Sequence, residues 1–501
     1  MLIQEDRQYT RSEVDLMARS IGAWLAERGI QPGDRVGVAA QNSIDVLVAG
    51  LGIDCAGAIG IMMPSRATAS DLAHLIRDAG ARIIFVDEIV ATELSSAAEV
   101  EPLEHVVGLD CPALQVAPGV AFHSLSDVMA TPVMPSPKLG GNMVFYTAGT
   151  TGPAKGVYRD GAQLSQAAAA FTQVFEFQPT DTHLAAGPLY HGGPAQFARI
   201  AVALGNRVVV LRSFDPEVLL RLVERERVTT SFMVPTMLRL LTKHPSVLSR
   251  RYDTSSMRML ITAGEPCPMP LKRDVMDLFG PVLHEFGGAS ELGILAVMPP
   301  EGHELKPGSC GRILPGQEIA IVDGDGNKLG AGEQGEILVR SAALMTGYWN
   351  DAGSTDALQR DGYMSLGDVG YVDEDNYLYI TGRVADLIKS GGVRITPSEV
   401  ESVLLEHAAV LEAAVVGAID EKWGERVVAC VLTQPSAAVT AEDIQLWCRS
   451  HLAPYKVPKQ VVFFAEAEWP RQGTGKVPKR ILRQLVMEEH DLVEDVGSHG
   501  G

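Results

Sequence analysis

The stretch Tyr146-Thr147-Ala148-Gly149-Thr150-Thr151-Gly152-Pro153-Ala154-Lys155-Gly156 decides how the rest of the chain is read. It follows an apolar run, Met143 to Tyr146, that reads as a strand. Three glycines, three threonines and one lysine fall within eleven positions. Such a loop turns backbone N–H groups and hydroxyls toward one point, which suits a phosphate chain. Lys155 would add a mobile positive charge. The spacing is not GxxxxGK[ST], so a P-loop fold is not implied. A polar surface turn is the bland alternative, and the preceding strand weighs against it.

On either side the chain alternates between helical and strand patterns. Thr10-Arg11-Ser12-Glu13 is a capping box opening a helix to about Arg28, where Gly29 ends it. Strands are predicted at Val36–Ala39, Ala58–Ile61 and Ile83–Val86, with a helix from Thr68. Residues 96 to 138 carry Pro and small residues and read as irregular. A second α/β run over roughly 140 to 300 has strands at Met143–Tyr146, Arg207–Leu211 and Met259–Ala263. From 308 to 382 short strands such as Glu318–Val322 and Glu336–Val339 alternate with turns, giving a small β-rich subdomain. Beyond 384 the pattern changes again. Thr396-Pro397-Ser398-Glu399 reads as a capping box, strands are expected at Ala413–Ala418, Arg426–Leu432 and Val461–Phe464, and Thr440 caps a helix. The last fifteen or so residues are polar and are expected to fray. The fold class is therefore a large α/β N-terminal domain, with two α/β subdomains and a β-rich one, followed by a smaller mobile α+β C-terminal domain.

With 501 residues, one hydrophobic core is too few and two or more domains are expected. Forty-two basic against 62 acidic residues leave a net charge of −20, which disfavours nucleic acid and anionic lipid but not a small anion in a local cradle. The six cysteines have no CxxC spacing and read as buried reduced thiols. The most apolar stretch, Val46–Pro64, is broken by Asp54 and glycines and reads as buried helix plus strand rather than a membrane span. A cytoplasmic location follows by elimination.

The glycine- and threonine-rich loop resembles the phosphate loop of the adenylate-forming superfamily, which includes acyl-CoA synthetases, aryl-CoA ligases, amino-acid adenylation domains and luciferases. Further resemblances occur in the family's order. They are Pro188-Leu189-Tyr190-His191-Gly192-Gly193, EFGGASE at 285–291, Ser365-Leu366-Gly367-Asp368, GRVADLIKSGGVRI at 382–395, and Gly473-Thr474-Gly475-Lys476. The resemblance implies residues 1–383 as the adenylate-forming domain, a hinge at 384–386, and a C-terminal domain over 387–501.

It also implies site residues. ATP would be held by Thr147, Ala148, Gly149, Thr150, Thr151, Gly152 and Lys155, and by Glu285, Phe286, Gly287, Gly288, Ala289 and Ser290 at the adenine. Asp368 would accept the ribose hydroxyls, with Arg383 nearby. Glu291 and Thr147 would hold Mg2+. His191 would sit between the acyl carboxylate and the pantetheine path, and Lys476 would meet charge on the α-phosphate. Ser390, Gly391 and Gly392 would line the thiol's approach. The implied activity is ATP-dependent, AMP-forming acyl-CoA ligation of an apolar carboxylic acid through an acyl-adenylate, with coenzyme A as acceptor. An acyl carrier protein as acceptor and a catalytically silent nucleotide-binding homologue are the alternatives. A second copy of the chain is a further partner expectation.

Two positions depart from the family pattern. Gly287 stands where an aromatic ring commonly lies on adenine, so Phe286 or another ring is needed to fill that face. Ala385 stands at the pivot in place of Asp or Lys, with Asp386 as the substitute for its polar contacts. An acyl pocket is expected near His191–Phe197, Phe232–Val234, Ala263–Glu265 and Leu292–Ala296, with Gly192 and Gly193 giving it room.

Overall fold

The computed structural model describes residues 1–96, 100–111, 116, 119–133, 142–147, 154–161, 163, 166, 171–172, 174–434, 437–470 and 477–497. Two sheets build the large N-terminal region. The first has eight strands in the order Gly347–Tyr348, Lys155–Tyr158, Asn142–Thr147, Ile59–Met63, Arg35–Ala39, Ile83–Val86, His105–Gly108 and Ala121–Ser124. From Asn142–Thr147 to Ala121–Ser124 all neighbours are parallel. That arrangement requires the helical crossovers seen in the sequence pattern. The segment expected to be irregular holds the two outer strands of this sheet and a helix at Leu125–Met129. His105–Gly108 and Ala121–Ser124 are four residues each, and only pairing across the sheet distinguishes such short runs from loop.

The second sheet has fifteen strands. Its parallel part runs through Leu2–Gln4, Arg207–Val210, Thr182–Ala185, Thr230–Phe232, Met259–Thr262 and Leu283–Ala289. Gly293–Met298 then turns back antiparallel, and the expected β-rich strands continue the same sheet through Gly311–Ile313 and Tyr377–Arg383. A separate five-stranded sheet carries the smaller α+β domain. Its longest hairpin pairs Val410–Asp420 with Gly424–Thr433.

Local chemistry sets the helix starts. Thr10 and Thr68 each close a complete capping box, with Glu13 and Asp71. Thr440 does the same with Asp443. Thr396 does not: the helix Pro397–Leu405 begins there without a side-chain cap. Its hydroxyl instead accepts a hydrogen bond from Gln334 Nε2 at 3.0 Å. The Glu399 N–H that a capping box would use goes to the main-chain Thr396 O at 3.3 Å, while the hydroxyl meets a partner 62 residues away in sequence. The final helix runs Lys479–Gly497, so regular structure persists well into the segment expected to fray.

Val46–Pro64 is a buried helix, Ile44–Cys55, followed by the strand Ile59–Met63. Among the described residues no helix is long and apolar enough to cross a membrane. Five of the six cysteines are buried, and Cys310 is half-buried. Helices Arg11–Glu27 and Ile44–Cys55 meet closely at Gly52. A Cβ there would lie 2.4 Å from Ile21 Cγ2.

Buried side chains tie the two large sheets, among them Gln4, whose Oε1 accepts from Ile44 N at 3.0 Å, and Asn42. Asn42, 5% exposed, donates from Nδ2 to Gly187 O at 2.8 Å and to Leu211 O at 3.1 Å. Its Oδ1 accepts from Leu189 N at 2.8 Å. Asn42 follows a strand of the first sheet, and its partners flank strands of the second. The loop carrying His191 is thereby fixed against both.

Replacing Gly52 by Val should lower stability by ~1–3 kcal/mol through overpacking against Ile21, read as a shifted urea midpoint with unchanged slope. A pH effect is expected from His183, which is fully enclosed with Nδ1 3.0 Å from Thr230 Oγ1. Burial pulls its pKa from 6.5 down to about 4. Between those values the unfolded chain binds the proton and the folded chain does not, so stability should fall as pH drops from about 6.5 toward 4. The contribution is up to ~3 kcal/mol, and His183→Gln should flatten that part of the urea-midpoint profile.

Candidate active site

A single cleft gathers segments that are far apart in sequence. It is lined by Tyr146 and Lys155, by His191 to Pro194, by Glu285 to Glu291, by Asp368 and Arg383, and by Val477 to Lys479 of the smaller domain. Thr147 ends the strand Asn142–Thr147 and pairs with Lys155 across the hairpin. Ala148, Gly149, Thr150, Thr151 and Gly152 lie outside the described residues, as does Lys476. The segments that border them, Lys155 on one side and Val477 on the other, both face this cleft.

Lys155 is less mobile than its sequence context suggests. Its Nζ donates to Ser354 Oγ, sits 3.6 Å from Asp351 Oδ2, and lies over the Tyr348 ring at 5.1 Å. His191 is the N-cap residue of the helix Gly192–Leu204 and packs its ring on Tyr190 with centroids 4.4 Å apart. A Cβ on Gly192 would lie 3.7 Å from Ser290 Oγ, which places the histidine loop beside the Ser290–Glu291 turn.

Glu291 is 8% exposed and its Oε1 accepts from the Tyr348 hydroxyl at 3.0 Å. Burial and the neighbouring Glu291 carboxylate push the Tyr348 phenol well above its ordinary range, so it stays a donor. Arg159 supports the same turn, donating from Nη2 to Ser290 O at 2.6 Å and from Nε to Ala343 O at 3.0 Å. Burial lowers its pKa to about 10, against the pull of Glu291. Neither Tyr348 nor Arg159 stands out in the sequence. Both are single residues beyond the resembling motifs, and only the fold brings them to Glu291. A carboxylate oxygen is the kind of hard donor that Mg2+ takes, so the chemistry of Glu291 fits that ion.

Asp368 begins the strand Asp368–Val372 directly after Gly367, whose φ is +74°. Its Oδ1 accepts from Arg383 Nε at 3.0 Å across the pair of strands. The two residues fifteen apart are thus one ion pair in the structure, directly before the turn at Val384. Val384–Asp386 forms a single 3₁₀ turn. Contacts flanking it include Val384 N donating to Gly367 O at 2.7 Å, the Gln334–Thr396 bond and a hydrogen bond from Ser398 Oγ to Thr381 O. Ser390, Gly391 and Gly392 are not part of the cleft lining. Gly391 instead packs under Trp423, whose Cε3 would be 2.8 Å from an added Cβ, and its N–H donates to Trp423 O.

The adenine segment needs correction. Consecutive strand residues point to opposite faces. Phe286 therefore turns away from the Gly287 side and joins Phe171, Phe175, Phe197 and Phe232, with ring centroids 6.1–6.3 Å away. It does not fill the face left bare by Gly287. That face is already taken: a Cβ on Gly287 would lie 2.8 Å from Cys310 Cβ and 3.4 Å from Ile380 Cδ1. The expected room at Gly193 is also absent, because its Cβ would lie 2.9 Å from Phe232 Cζ. Gly193 lets an aromatic ring approach the backbone instead of opening a pocket.

Glu285, two residues before Gly287, forms a buried ion pair with Lys272, whose side chain is 2% exposed. Burial raises the Glu285 pKa while Lys272 opposes it. His303 lies behind them, with Nε2 3.0 Å from Leu283 O. Burial, with Lys272 adding to it, lowers its pKa to about 4, so the ring is neutral. Lys272 carries no sequence signal, since it looks like any lysine on the amphipathic helix Met269–Phe279.

Comparison with known proteins gives the cleft its class. The AMP-binding enzyme family matches residues 1–349, and the AMP-binding enzyme C-terminal domain matches residues 399–476. The chain belongs to the AMP-binding, acyl-adenylate-forming enzymes, among them the acyl-CoA and aryl-CoA ligases. It is 31% identical over 490 residues to the indoleacetate–CoA ligase of Aromatoleum aromaticum, spanning 96% of this chain and 94% of that one. It is 30% identical over 487 residues to a fatty acid–[acyl-carrier-protein] ligase of Streptomyces coeruleorubidus, spanning 96% and 92%. The solved amide bond synthetase McbA of Marinactinospora thermotolerans superposes with a TM-score of 0.85 at 28% identity, covering 97% and 96% of the chains.

Gly287→Tyr should weaken ATP binding and lower the melting temperature, because its side chain collides with Cys310 at a cost of ~1–3 kcal/mol. Gly287→Tyr combined with Cys310→Gly should recover most of both losses. Calorimetric titration with a non-hydrolysable ATP analogue and a thermal melt would check the pair.

Proposed function

We propose that the chain is an ATP-dependent, AMP-forming carboxylate–CoA ligase acting on a largely apolar acid. The observation that carries this reading is the meeting of Ser290, Glu291, Asp368 and Arg383 with Val477–Lys479 in one cleft, with Thr147 at its entry strand. Each group has a role in the first step, where a carboxylate attacks the α-phosphate and pyrophosphate leaves. Backbone N–H groups and hydroxyls of 147–152 take the phosphate oxygens. Asp368 takes the ribose hydroxyls once Arg383 yields. Ser290 lies by the α-phosphate, and Glu291, held by Tyr348, provides the carboxylate for Mg2+. When bound, that ion neutralises phosphate charge. Lys476 meets the charge that develops on the phosphoryl oxygens.

In the second step the thiol of coenzyme A, its proton passing to solvent, attacks the acyl carbonyl; the new C–S bond replaces the acyl C–O bond to phosphate, and AMP departs with that electron pair. His191, at the head of its helix, orients the acyl group and the incoming thiol. For Ser390–Gly392 to line the thiol's path, the smaller domain must turn about Val384–Asp386. Residues 1–383, 384–386 and 387–501 then act as body, hinge and mobile domain.

The test is mass detection of acyl-AMP and acyl-CoA across a panel of carboxylic acids. Acyl-AMP that ignores CoA but loads a phosphopantetheinyl carrier protein would move the acceptor and leave the first step as stated. Absence of acyl-AMP with every acid would overturn the ligase reading. Lys476→Ala should slow adenylation by roughly 10²–10³-fold while thioester formation from supplied acyl-adenylate changes little. Timing the two half-reactions separately checks this, and equal loss in both would remove Lys476 from the role.

A further inference from the structure

The strand that leads into the phosphate loop is anchored from behind. Tyr146, its next-to-last residue, is 5% exposed and shares a buried apolar cluster with Leu75, Ile76 and Ala79 of the helix Ala69–Ala79. Its hydroxyl donates to Asp78 Oδ2 at 2.5 Å. Burial and that carboxylate hold the phenol well above its ordinary range, so it remains the donor. Gly156, which closes the glycine-rich stretch, fits against the same ring. A Cβ there would lie 3.2 Å from Tyr146 Cζ and 3.3 Å from Trp349 Cβ.

The same helix turn reaches a second segment of the site. A helix leaves its last carbonyls without partners of its own. Here other segments supply them: Asn350 Nδ2 donates to Asp78 O at 2.7 Å, and Arg35 Nε donates to Ala79 O at 2.9 Å. Asn350 stands between Trp349, whose N–H donates to Gly156 O at 2.7 Å, and Asp351, which lies 3.6 Å from Lys155 Nζ. Two positions earlier is Tyr348, the donor to Glu291. Asp78 therefore bonds through its carboxylate to the phosphate-loop strand and through its carbonyl to the segment that holds Lys155 and Glu291. A carboxylate in the last turn of a helix opposes the helix dipole, so helix stability does not account for an acid at this position.

We propose that Asp78 is a positioning residue for adenylation. Through the Tyr146 hydroxyl it fixes the strand end from which the phosphate loop departs, and so sets where the phosphate chain of ATP lies relative to Glu291 and Lys155. It touches neither ATP nor the acid. The inference rests on the ligase reading above and adds to it a residue that lies outside every motif. Small displacements of reacting groups are costly in rate, which gives a remote hydrogen bond its leverage.

The test times the two half-reactions separately in the full chain. Asp78→Ala and Tyr146→Phe should each lower kcat/KM for ATP in pyrophosphate release by roughly ten- to a hundredfold, the worth of a hydrogen bond to a charged group. Thioester formation from supplied acyl-adenylate should change little. Asp78→Asn keeps an oxygen for the hydroxyl and should restore most of the rate. Affinity for a non-hydrolysable ATP analogue, read by calorimetry, should fall several-fold in the first two variants and recover in Asp78→Asn. The double variant Asp78→Ala with Tyr146→Phe separates position from stability. It leaves neither hydroxyl nor carboxylate unpaired, so its melting temperature should return toward that of the wild type. Its adenylation loss should persist and match that of either single variant. Adenylation that recovers together with the melting temperature, equal loss in both half-reactions, unchanged analogue affinity in both single variants, or wild-type rates in a folded Asp78→Ala would each overturn the proposal and leave the ligase reading intact. No pyrophosphate release by the wild type with any acid would overturn both.

Discussion

The cleft depends on Asn42. The two large sheets share an apolar core, in which Val36, Val38 and Met62 of the first pack in one cluster with Ala185, Val208 and Val210 of the second, and apolar contact alone would fix neither angle nor register. Three hydrogen bonds from one buried amide do. They reach Gly187, Leu189 and Leu211, so the sheet that carries the phosphate loop and the loop that carries His191 are held as one unit. Hydrogen bonds of this kind are individually modest, but leaving their buried partners unmet is expensive. Asn42→Leu would orphan an N–H and two carbonyls at the junction on which the site geometry rests.

Much of the fold was legible because its elements obey local rules. Capping boxes at Thr10 and Thr68, the apolar runs at Ile83–Val86 and Glu318–Val322, and the break at Asp54 in an otherwise membrane-like stretch each have a short-range cause. The failures have long-range causes. Thr396 forms no box, and its hydroxyl instead meets Gln334, 62 residues away in the chain. His105–Gly108 and Ala121–Ser124 became strands because an edge was waiting for them.

The site was legible to a different degree. Motif residues such as Glu291, Asp368 and His191 do converge, yet the residues that hold them could not be read from spacing. Tyr348 and Arg159 touch Glu291 or its neighbour from 57 and 131 positions away in the chain. Glycines misled most. Gly287 and Gly193 suggested vacancy, whereas both exist so that a neighbour, Cys310 or Phe232, can come close. A missing side chain records either empty space or an intruder, and sequence alone does not distinguish them.

The strand Leu2–Gln4 belongs to the second sheet, paired with residues 207–210, although the helix and strands that follow it build the first. This has a consequence for biosynthesis. While the first sheet is being assembled on the ribosome, Leu2–Gln4 has no partner for its parallel edge until some two hundred more residues have been made. At translation speeds of ~5–20 residues per second, that interval is on the order of ten seconds or more. For that time a short apolar strand, Leu2-Ile3-Gln4, is exposed with an unpaired edge, and the nascent chain needs either a chaperone or the charged Glu5-Asp6-Arg7 turn beside it to keep that edge from pairing elsewhere.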